Sequence, residues 1–345
     1  MAESRVGGAY RVGVVGCGMV AQRHMSAISS SPRRWTLAAV ADVDRSRAEA
    51  SAKQWGADRV FEDYRELLDE VELDALVVAT HAETHAAIAM SAMERDVHVL
   101  CEKPMASNAE QCREMVTAAE RSKGLLAVNF NTRSGEAYRL IKREIDAGRL
   151  GTVRVVRFVY DWSNHQWTPT ERLEHFMNNG GPITDSGVHF FEGIRWYTGA
   201  EFASIDAHGV VLPPYEHPQH VVASCSMTDG AVGLVEVGWL YCKRTKDMGS
   251  LFQITVIGDE GTADFDADRG TLKVYDQQGS YESKKMGMDK QFDRIFEWFA
   301  QSIQAGRLIE LASAEDGLRA TEAAYAALAS AHRHTSARPA ATGLG

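Results

Sequence analysis

Residues 10–21 read YRVGVVGCGMVA, an apolar run that passes through a glycine loop into the start of a helix. The loop fits the pattern Gly-x-Gly-x-x-Gly/Ala, in which Gly16 allows a tight turn and Gly18 lets a pyrophosphate approach the backbone. The first helical turn, with Met19 and Val20, would offer N–H donors and the positive end of the helix dipole to phosphate groups. The stretch therefore predicts a dinucleotide-binding unit at the start of the chain.

An acidic residue follows at the spacing that this motif requires. Asp42 ends the second apolar run, about 20 residues after Ala21, where an acid binds the ribose hydroxyls of a dinucleotide. Asp44 is a competing candidate for this contact. A carboxylate there repels a 2′-phosphate, which favours NAD over NADP. Arg45 and Arg47 argue the other way, because nearby arginines can accept that phosphate.

The pattern of the chain changes after its first third. Residues 8–130 alternate short apolar runs with amphipathic helical stretches, which is typical of βαβ units and a parallel sheet. Later come β-prone runs separated by turn signals such as Thr228-Asp-Gly230, which indicate antiparallel strands. We predict an α/β protein with an N-terminal Rossmann domain built on a doubly wound parallel sheet. Residues 131–334 should form a C-terminal α+β domain with a large, mostly antiparallel open sheet.

The end of the chain is less regular. The last two predicted helices could pack back on the first domain, and residues 335–345 are expected to be a disordered tail because they are small, polar and contain proline.

Composition excludes several classes of protein. The 345 residues include 37 Lys and Arg against 47 Asp and Glu, a net charge of −10, so nucleic acid is an improbable partner. No run reaches the roughly 18 apolar residues that a membrane helix needs, and the first residues lack the apolar core of a secretory signal. The five cysteines form no Cys-x-x-Cys pair, which is typical of reduced thiols. We therefore expect a cytoplasmic protein with no membrane partner.

Two further motifs carry a resemblance to a known family. Cys-Glu-Lys-Pro occupies residues 101–104, and Gly-Gly-Pro-Ile-Thr-Asp-Ser-Gly-Val-His occupies residues 180–189. With the glycine loop, they resemble the Gfo/Idh/MocA family of glucose–fructose oxidoreductases and inositol dehydrogenases. The resemblance implies a hydride transfer between NAD(P) and one carbon of a sugar, cyclitol or related alcohol. It also implies that Lys103, Asp185 and His189 are the catalytic group.

The same resemblance places further residues near the cofactor. Thr80, His85, Glu102 and Lys103 match family positions there. The family's usual Thr-Pro-Asn is replaced by Thr-His-Ala from Thr80 to Ala82, so the contact that the asparagine makes is not expected in this chain.

These residue types suit the oxidation of an alcohol. The pKa of an ordinary histidine lies near 6.5, which makes His189 a natural proton acceptor at neutral pH. If a helix has begun at Asp185, four residues earlier, both side chains lie on one face, where the carboxylate could hold a substrate hydroxyl or orient the imidazole. Lys103 would stabilise a developing alkoxide. The sequence leaves open whether Lys103 or His189 takes the proton first.

Substrate contacts are predicted at Arg133, Asn164 and His165, besides the catalytic Asp185 and His189. Polar side chains among aromatic rings suit a polyol, although the segment around Asn164 could equally be a packed loop or an oligomer contact, and Arg133 could make a structural ion pair. No resident metal is expected.

Two classes of function remain open at this point. One is an NAD-dependent sugar or cyclitol dehydrogenase, or a related enzyme that acts on a dihydrodiol or a keto-sugar intermediate. The other is a non-catalytic NAD-sensing regulator on the same fold. The exposed face of an open sheet further predicts a homodimer or homotetramer.

Overall fold

The computed structural model describes residues 8–162, 170–242, 249–287 and 290–335. The chain divides into two compact units. The first holds the residues up to Ser134 together with Lys290–Thr321, and the second holds Gly135–Asp289 and the residues from Glu322 onward. This division differs from the predicted domains 8–130 and 131–334 in that residues 131–134 and 290–321 belong to the first unit.

The first unit is a Rossmann domain. Its elements in chain order are β1 (Tyr10–Val15), α1 (Met19–Ser30), β2 (Trp35–Ala41), α2 (Arg45–Trp55), β3 (Arg59–Phe61), α3 (Tyr64–Glu70), β4 (Ala75–Val78), α4 (Ala82–Met93), β5 (His98–Glu102), α5 (Ala109–Arg121) and β6 (Leu126–Asn129). The second unit begins with α6 (Glu136–Asp146), β7 (Val153–Trp162), α7 (Thr170–Asn178) and α8 (Val188–Thr198), followed by β8 (Phe202–Val210), β9 (His220–Met227), β10 (Val232–Gly238), β11 (Ser250–Gly258), β12 (Thr262–Asp266), β13 (Thr271–Asp276) and β14 (Gly279–Lys284). Two later elements, α9 (Phe292–Ala305) and β15 (Ala312–Ser313), return to the first unit. The last described element is α10 (Ala314–Thr335), and the division between the units falls within it, after Thr321.

Strand order confirms the predicted fold class. In the first unit, the described strands run β15-β6-β5-β4-β1-β2-β3, all parallel except β15. This is the doubly wound order, which brings the carboxyl ends of the parallel strands to one edge of the sheet. In the second unit, the order is β14-β13-β12-β11-β7-β10-β9-β8, antiparallel except for the pair β7 and β10.

Local signals explain where the helices of the first unit begin and end. The side chains of Asp44, Asp63 and Asn108 each accept a backbone N–H in the first turn of α2, α3 and α5. Gly56 ends α2 in the left-handed conformation, with φ of 77°.

An aromatic contact places α9 in the first unit. Phe299 stacks on Trp35 of β2 with ring centroids 5.7 Å apart, and Phe296 meets the same indole edge-on at 5.4 Å. All three rings are almost fully buried. The sequence pattern shows no partner for this helix. The sequence alone therefore could not decide which of the two domains it packs against.

The sheet of the second unit has one covered and one open face. On the covered face, Phe158 of β7 stacks on Phe190 of α8 at 5.2 Å, and Gly193 leaves room for its ring. On the open face, Val222, Val232 and Ile257 are 47%, 38% and 41% exposed. Among the described helices, none is long and apolar enough to cross a membrane. Thr335, the first residue of the predicted tail, is the last residue of α10. Residues 336–345 lie outside the described part of the chain.

Candidate active site

The glycine loop after β1 has the shape that a pyrophosphate needs. Gly16 has φ of +89°, and a Cβ there would collide with the carbonyl of Ala79. Beside Gly18, in contrast, a Cβ would meet no atom within 4 Å. α1 begins at Met19 without a side-chain cap on its N-terminus. The N-terminus of a helix offers N–H donors and the positive end of the helix dipole to an anion. The loop therefore fits a dinucleotide.

Asp42 is the buried acid beside this loop. Its Oδ2 accepts the N–H of Cys17 at 2.7 Å, and its Oδ1 accepts the N–H of Asp44 at 2.9 Å. Asp44 instead caps α2, so Asp42 is the acid whose carboxylate lies against the glycine loop. Both neighbouring arginines are paired with carboxylates: Arg47 lies 3.5 Å from Asp42, and Arg45 donates to Glu49 at 2.9 Å. The charges here fit NAD better than a 2′-phosphate.

His85 occupies an interior position. Its Nδ1 lies 3.0 Å from the carbonyl of Pro104 and its Nε2 lies 3.2 Å from the carbonyl of Thr80. Burial lowers its pKa. Both ring nitrogens thus face protein carbonyls, and the cofactor contact of His85 stays a prediction. Thr80 itself is half-buried and accepts the hydroxyl of Thr84 at 2.8 Å.

Lys103 directly follows β5, at the same sheet edge as the glycine loop. It is half-buried, and its peptide bond to Pro104 is cis. Glu102, predicted to contact the cofactor, is buried and turns its carboxylate inward, where His24 lies 2.8 Å away and Asn129 donates at 2.6 Å. Of the two charged side chains of the motif, Glu102 is thus buried and Lys103 is half-buried.

In the second unit, Asp185 and His189 share one helical segment. Residues 183–187 form a π-helical turn that continues directly into α8. Residues four apart in such a segment lie on the same face, as the sequence predicted. Asp185 is half-buried and accepts the hydroxyl of Ser186 at 3.1 Å, whereas His189 is buried. π-helical turns occur frequently at functional sites.

Tyr160 was not predicted as part of this group. It lies on the covered face of β7, where it meets Phe190 edge-on with ring centroids 5.8 Å apart. Burial, and next the negative charge of Asp185, raise the pKa of Tyr160. Its phenol is therefore a neutral polar group within electrostatic reach of Asp185. The alternation of aromatic residues at 158, 160 and 162 is the sequence signal that points to it.

Of the three further predicted substrate contacts, the structure describes only Arg133. Arg133 lies 3.3 Å from Asp316, whose carboxylate also accepts the N–H of Ser313 in β15, just before α10. This is the structural ion pair that the sequence left open, and the substrate contact of Arg133 stays a prediction. Asn164 and His165 lie outside the described residues.

Two clusters contain residue types that can bind metals. In one, Asp161 and Glu236 face the two different ring nitrogens of His220, at 3.2 and 3.5 Å, which is the geometry of a bridged imidazolium. Asp161 accordingly raises the pKa of His220. The other, Asp206 with His208 and His334, lies on the edge strand β8 and the last turn of α10. No metal is assigned to either cluster.

Comparison with known proteins agrees with this geometry. Residues 10–130 match an oxidoreductase family with an NAD-binding Rossmann fold, and residues 138–264 match the GFO/IDH/MocA C-terminal domain. Inositol 2-dehydrogenase 2 of Saccharopolyspora erythraea is 31% identical over 255 residues, which are 71% of this chain and 72% of the relative. The NAD-dependent scyllo-inositol 2-dehydrogenase of Bacillus subtilis is 27% identical over 73% of this chain and 72% of its own.

Solved structures show the same fold. A levoglucosan dehydrogenase in complex with NADH superposes with a TM-score of 0.83 at 21% identity, covering 94% of this chain and 97% of its own. An oxidoreductase from Agrobacterium radiobacter in complex with NAD⁺ gives 0.82 at 20% identity, with the same coverage.

Fold, glycine loop and matched domains together define an NAD-binding oxidoreductase. The chain belongs to the Gfo/Idh/MocA family. The family resemblance and the choice of NAD as cofactor are thereby confirmed.

Proposed function

We propose that this protein is an NAD-dependent dehydrogenase that oxidises a secondary alcohol of a cyclitol or sugar. The observation that carries the proposal is Lys103, a cation that follows β5 at the sheet edge where the glycine loop and Asp42 would hold the dinucleotide. The names of the related inositol dehydrogenases support a cyclitol as the substrate class. A sensor of NAD would not require Lys103, Asp185 and His189 together.

Each residue has a distinct part in the proposed reaction. NAD supplies the hydride acceptor when it is bound. Lys103 stabilises negative charge on the reacting oxygen, and His189 or Lys103 accepts the hydroxyl proton. Asp185 holds a substrate hydroxyl or orients His189, with the Tyr160 phenol as a further hydrogen-bonding group.

The proposal is tested with purified protein and a panel of inositols, aldoses and anhydrosugars, each with NAD⁺ and with NADP⁺. We expect NADH absorbance to rise with at least one cyclitol or sugar and to rise more slowly with NADP⁺. A protein that binds NADH but oxidises no member of the panel would support the sensor instead.

Asp42→Asn should weaken NADH binding about tenfold, because a hydrogen bond to a charged group contributes about 1.5–3 kcal/mol and 1.4 kcal/mol corresponds to a factor of ten. The relative affinity for NADPH should rise, since the repelling carboxylate is gone. Fluorescence titration with both cofactors measures the change. Asp44→Asn removes a neighbouring carboxylate that caps α2, and it should leave both affinities near wild type. Equal losses in the two variants would contradict the assignment of Asp42.

We propose that the open sheet face makes this protein a homodimer or homotetramer. Val222, Val232 and Ile257 expose apolar surface there, and such faces are usually covered by a partner. Light scattering should give a mass of two or four chains, and Val232→Lys should lower it. A monomeric wild-type mass would reject the proposal.

A cytoplasmic location is proposed on the chemistry of the cysteines. None of the five forms a disulfide, which is typical of a reducing compartment. Burial raises the pKa of the Cys17 thiol in the glycine loop to about 11, so this cysteine remains a neutral, small side chain. Protein taken directly from cells and denatured without reductant should react with a maleimide at all five cysteines. Disulfides in this protein would contradict the proposal.

A further inference from the structure

A buried histidine–carboxylate pair stands directly behind Lys103. The Nε2 atom of His24, in α1, lies 2.8 Å from Oε1 of Glu102. Asn129 donates to the same oxygen at 2.6 Å, and the backbone N–H of Lys103 donates to Oε2 at 3.2 Å. His24 is 0% exposed and Glu102 is 4% exposed. The carboxylate therefore links an interior imidazole to the backbone of the proposed catalytic lysine.

Two phenylalanine rings enclose the imidazole of His24. Phe292 and Phe296 of α9 meet the ring edge-on, with centroids 4.9 and 5.8 Å away. Its Nδ1 has no hydrogen-bond partner among the described residues. The ring's one polar contact in this part of the chain is Glu102, which favours a proton on Nε2.

A buried histidine–carboxylate pair is an expensive way to stabilise a fold. A buried charge loses hydration, and well-packed apolar residues in its place often stabilise a fold as much or more. Here the buried carboxylate belongs to the residue directly before Lys103 and accepts the backbone N–H of Lys103. A role in placing Lys103 would therefore explain why a charge is buried at this position. We propose that His24 is a positioning residue for Lys103, acting through the Glu102 carboxylate. The role in catalysis rests on the proposed function, whereas the coupling between the side chains does not.

The coupling has a direction. Burial alone would raise the pKa of Glu102, but the hydrogen bonds from His24 and Asn129 and the nearby charge of Lys103 outweigh it, and the pKa is lowered. Without His24, Glu102 loses the largest of the interactions that lower its pKa, so that pKa rises. A carboxyl that holds a proton is a weaker acceptor, and the hydrogen bond from the Lys103 backbone N–H weakens with it.

Two other titratable side chains lie near Glu102. Burial raises the pKa of the Cys101 thiol well above its ordinary value, and burial lowers the pKa of His85. Both are therefore neutral at neutral pH. The charges that matter are those of Glu102 and Lys103.

The coupling is tested by NMR on the backbone amide of Lys103 in protein labelled with ¹⁵N-lysine, with Lys103→Met identifying the signal. In Glu102→Gln, the Lys103 amide proton should move upfield, because a neutral amide oxygen is a weaker acceptor than the carboxylate that holds this N–H in the wild type. His24→Ala should move it in the same way, because Glu102 loses the donor that fixes its carboxylate, and His24→Gln, whose amide can still donate to Glu102, should restore the wild-type signal. A merely structural histidine would not give this rescue.

The outcomes separate this proposal from the proposed function, because the amide measurement needs no substrate. If the Lys103 amide signal is unchanged in Glu102→Gln, the coupling is wrong, whether or not His24→Ala folds. If His24→Gln behaves like His24→Ala, positioning by His24 is wrong. A shifted amide signal in a protein that oxidises no polyol would keep the coupling and reject the dehydrogenase. With an accepted polyol, kcat should fall in His24→Ala more than KM rises, and His24→Gln should recover it.

Discussion

Replacement of Lys103 by Met is expected to lower kcat by about 10²–10³-fold while NADH still binds. The loss of one preorganised group that stabilises developing negative charge has an effect of this size. NADH binding should persist, because the pyrophosphate and ribose contacts are proposed at the glycine loop and Asp42. Turnover is followed by NADH absorbance with an accepted polyol, and binding is followed by NADH fluorescence.

Lys123→Met is the matched control for this experiment. Lys123 lies on the same unit, is 76% exposed and pairs with Asp96 at 3.0 Å. Exposed pairs of this kind contribute at most about 1 kcal/mol, so the control should turn over like wild type. Full activity in Lys103→Met would remove Lys103 from the catalytic group.

His189→Ala should lower kcat by about 10²–10⁴-fold, the range for the loss of a general acid–base group. Its matched control is His208→Ala, an exposed histidine on the edge strand β8 of the same unit. Added imidazole should restore part of the activity of His189→Ala if the ring transfers a proton. Activity close to wild type would contradict the role of His189.

The pH profiles of these two variants also decide which side chain takes the proton. If His189 is the base, the acidic limb of the kcat/KM profile disappears in His189→Ala and remains in Lys103→Met. If Lys103 is the base, the limb disappears in Lys103→Met instead. The two profiles therefore resolve a choice that neither sequence nor geometry makes.

Local patterns carry the prediction of the cofactor half of the site. The glycine loop and Asp42 need only a strand, a turn and a helix in order, and each of these has a short-range signal. The fold class followed from the alternation of strands and helices and was confirmed by the strand order. Lys103, Asp185 and His189 came from motifs, and their roles remain predictions.

What the sequence could not predict depends on contacts between distant residues. His24 and Glu102 are 78 positions apart, and Arg133 and Asp316 are 183 apart. A buried polar pair leaves no periodic pattern, because each partner reads as an isolated residue on its own element. For the same reason the sequence gives no sign of the His24–Glu102 pair, and for Arg133 it leaves a substrate contact and an ion pair both open.

The central claim is that a hydride passes from a polyol carbon to the nicotinamide. The most direct test is turnover of NAD⁺ with an accepted polyol that is deuterated at its ring carbons, followed by mass spectrometry of the cofactor. We predict NADH that is heavier by one deuterium in wild type, and the same labelled NADH formed about 10²–10³-fold more slowly in Lys103→Met. NADH without deuterium, or no NADH from any cyclitol or sugar with wild-type protein, would contradict the claim.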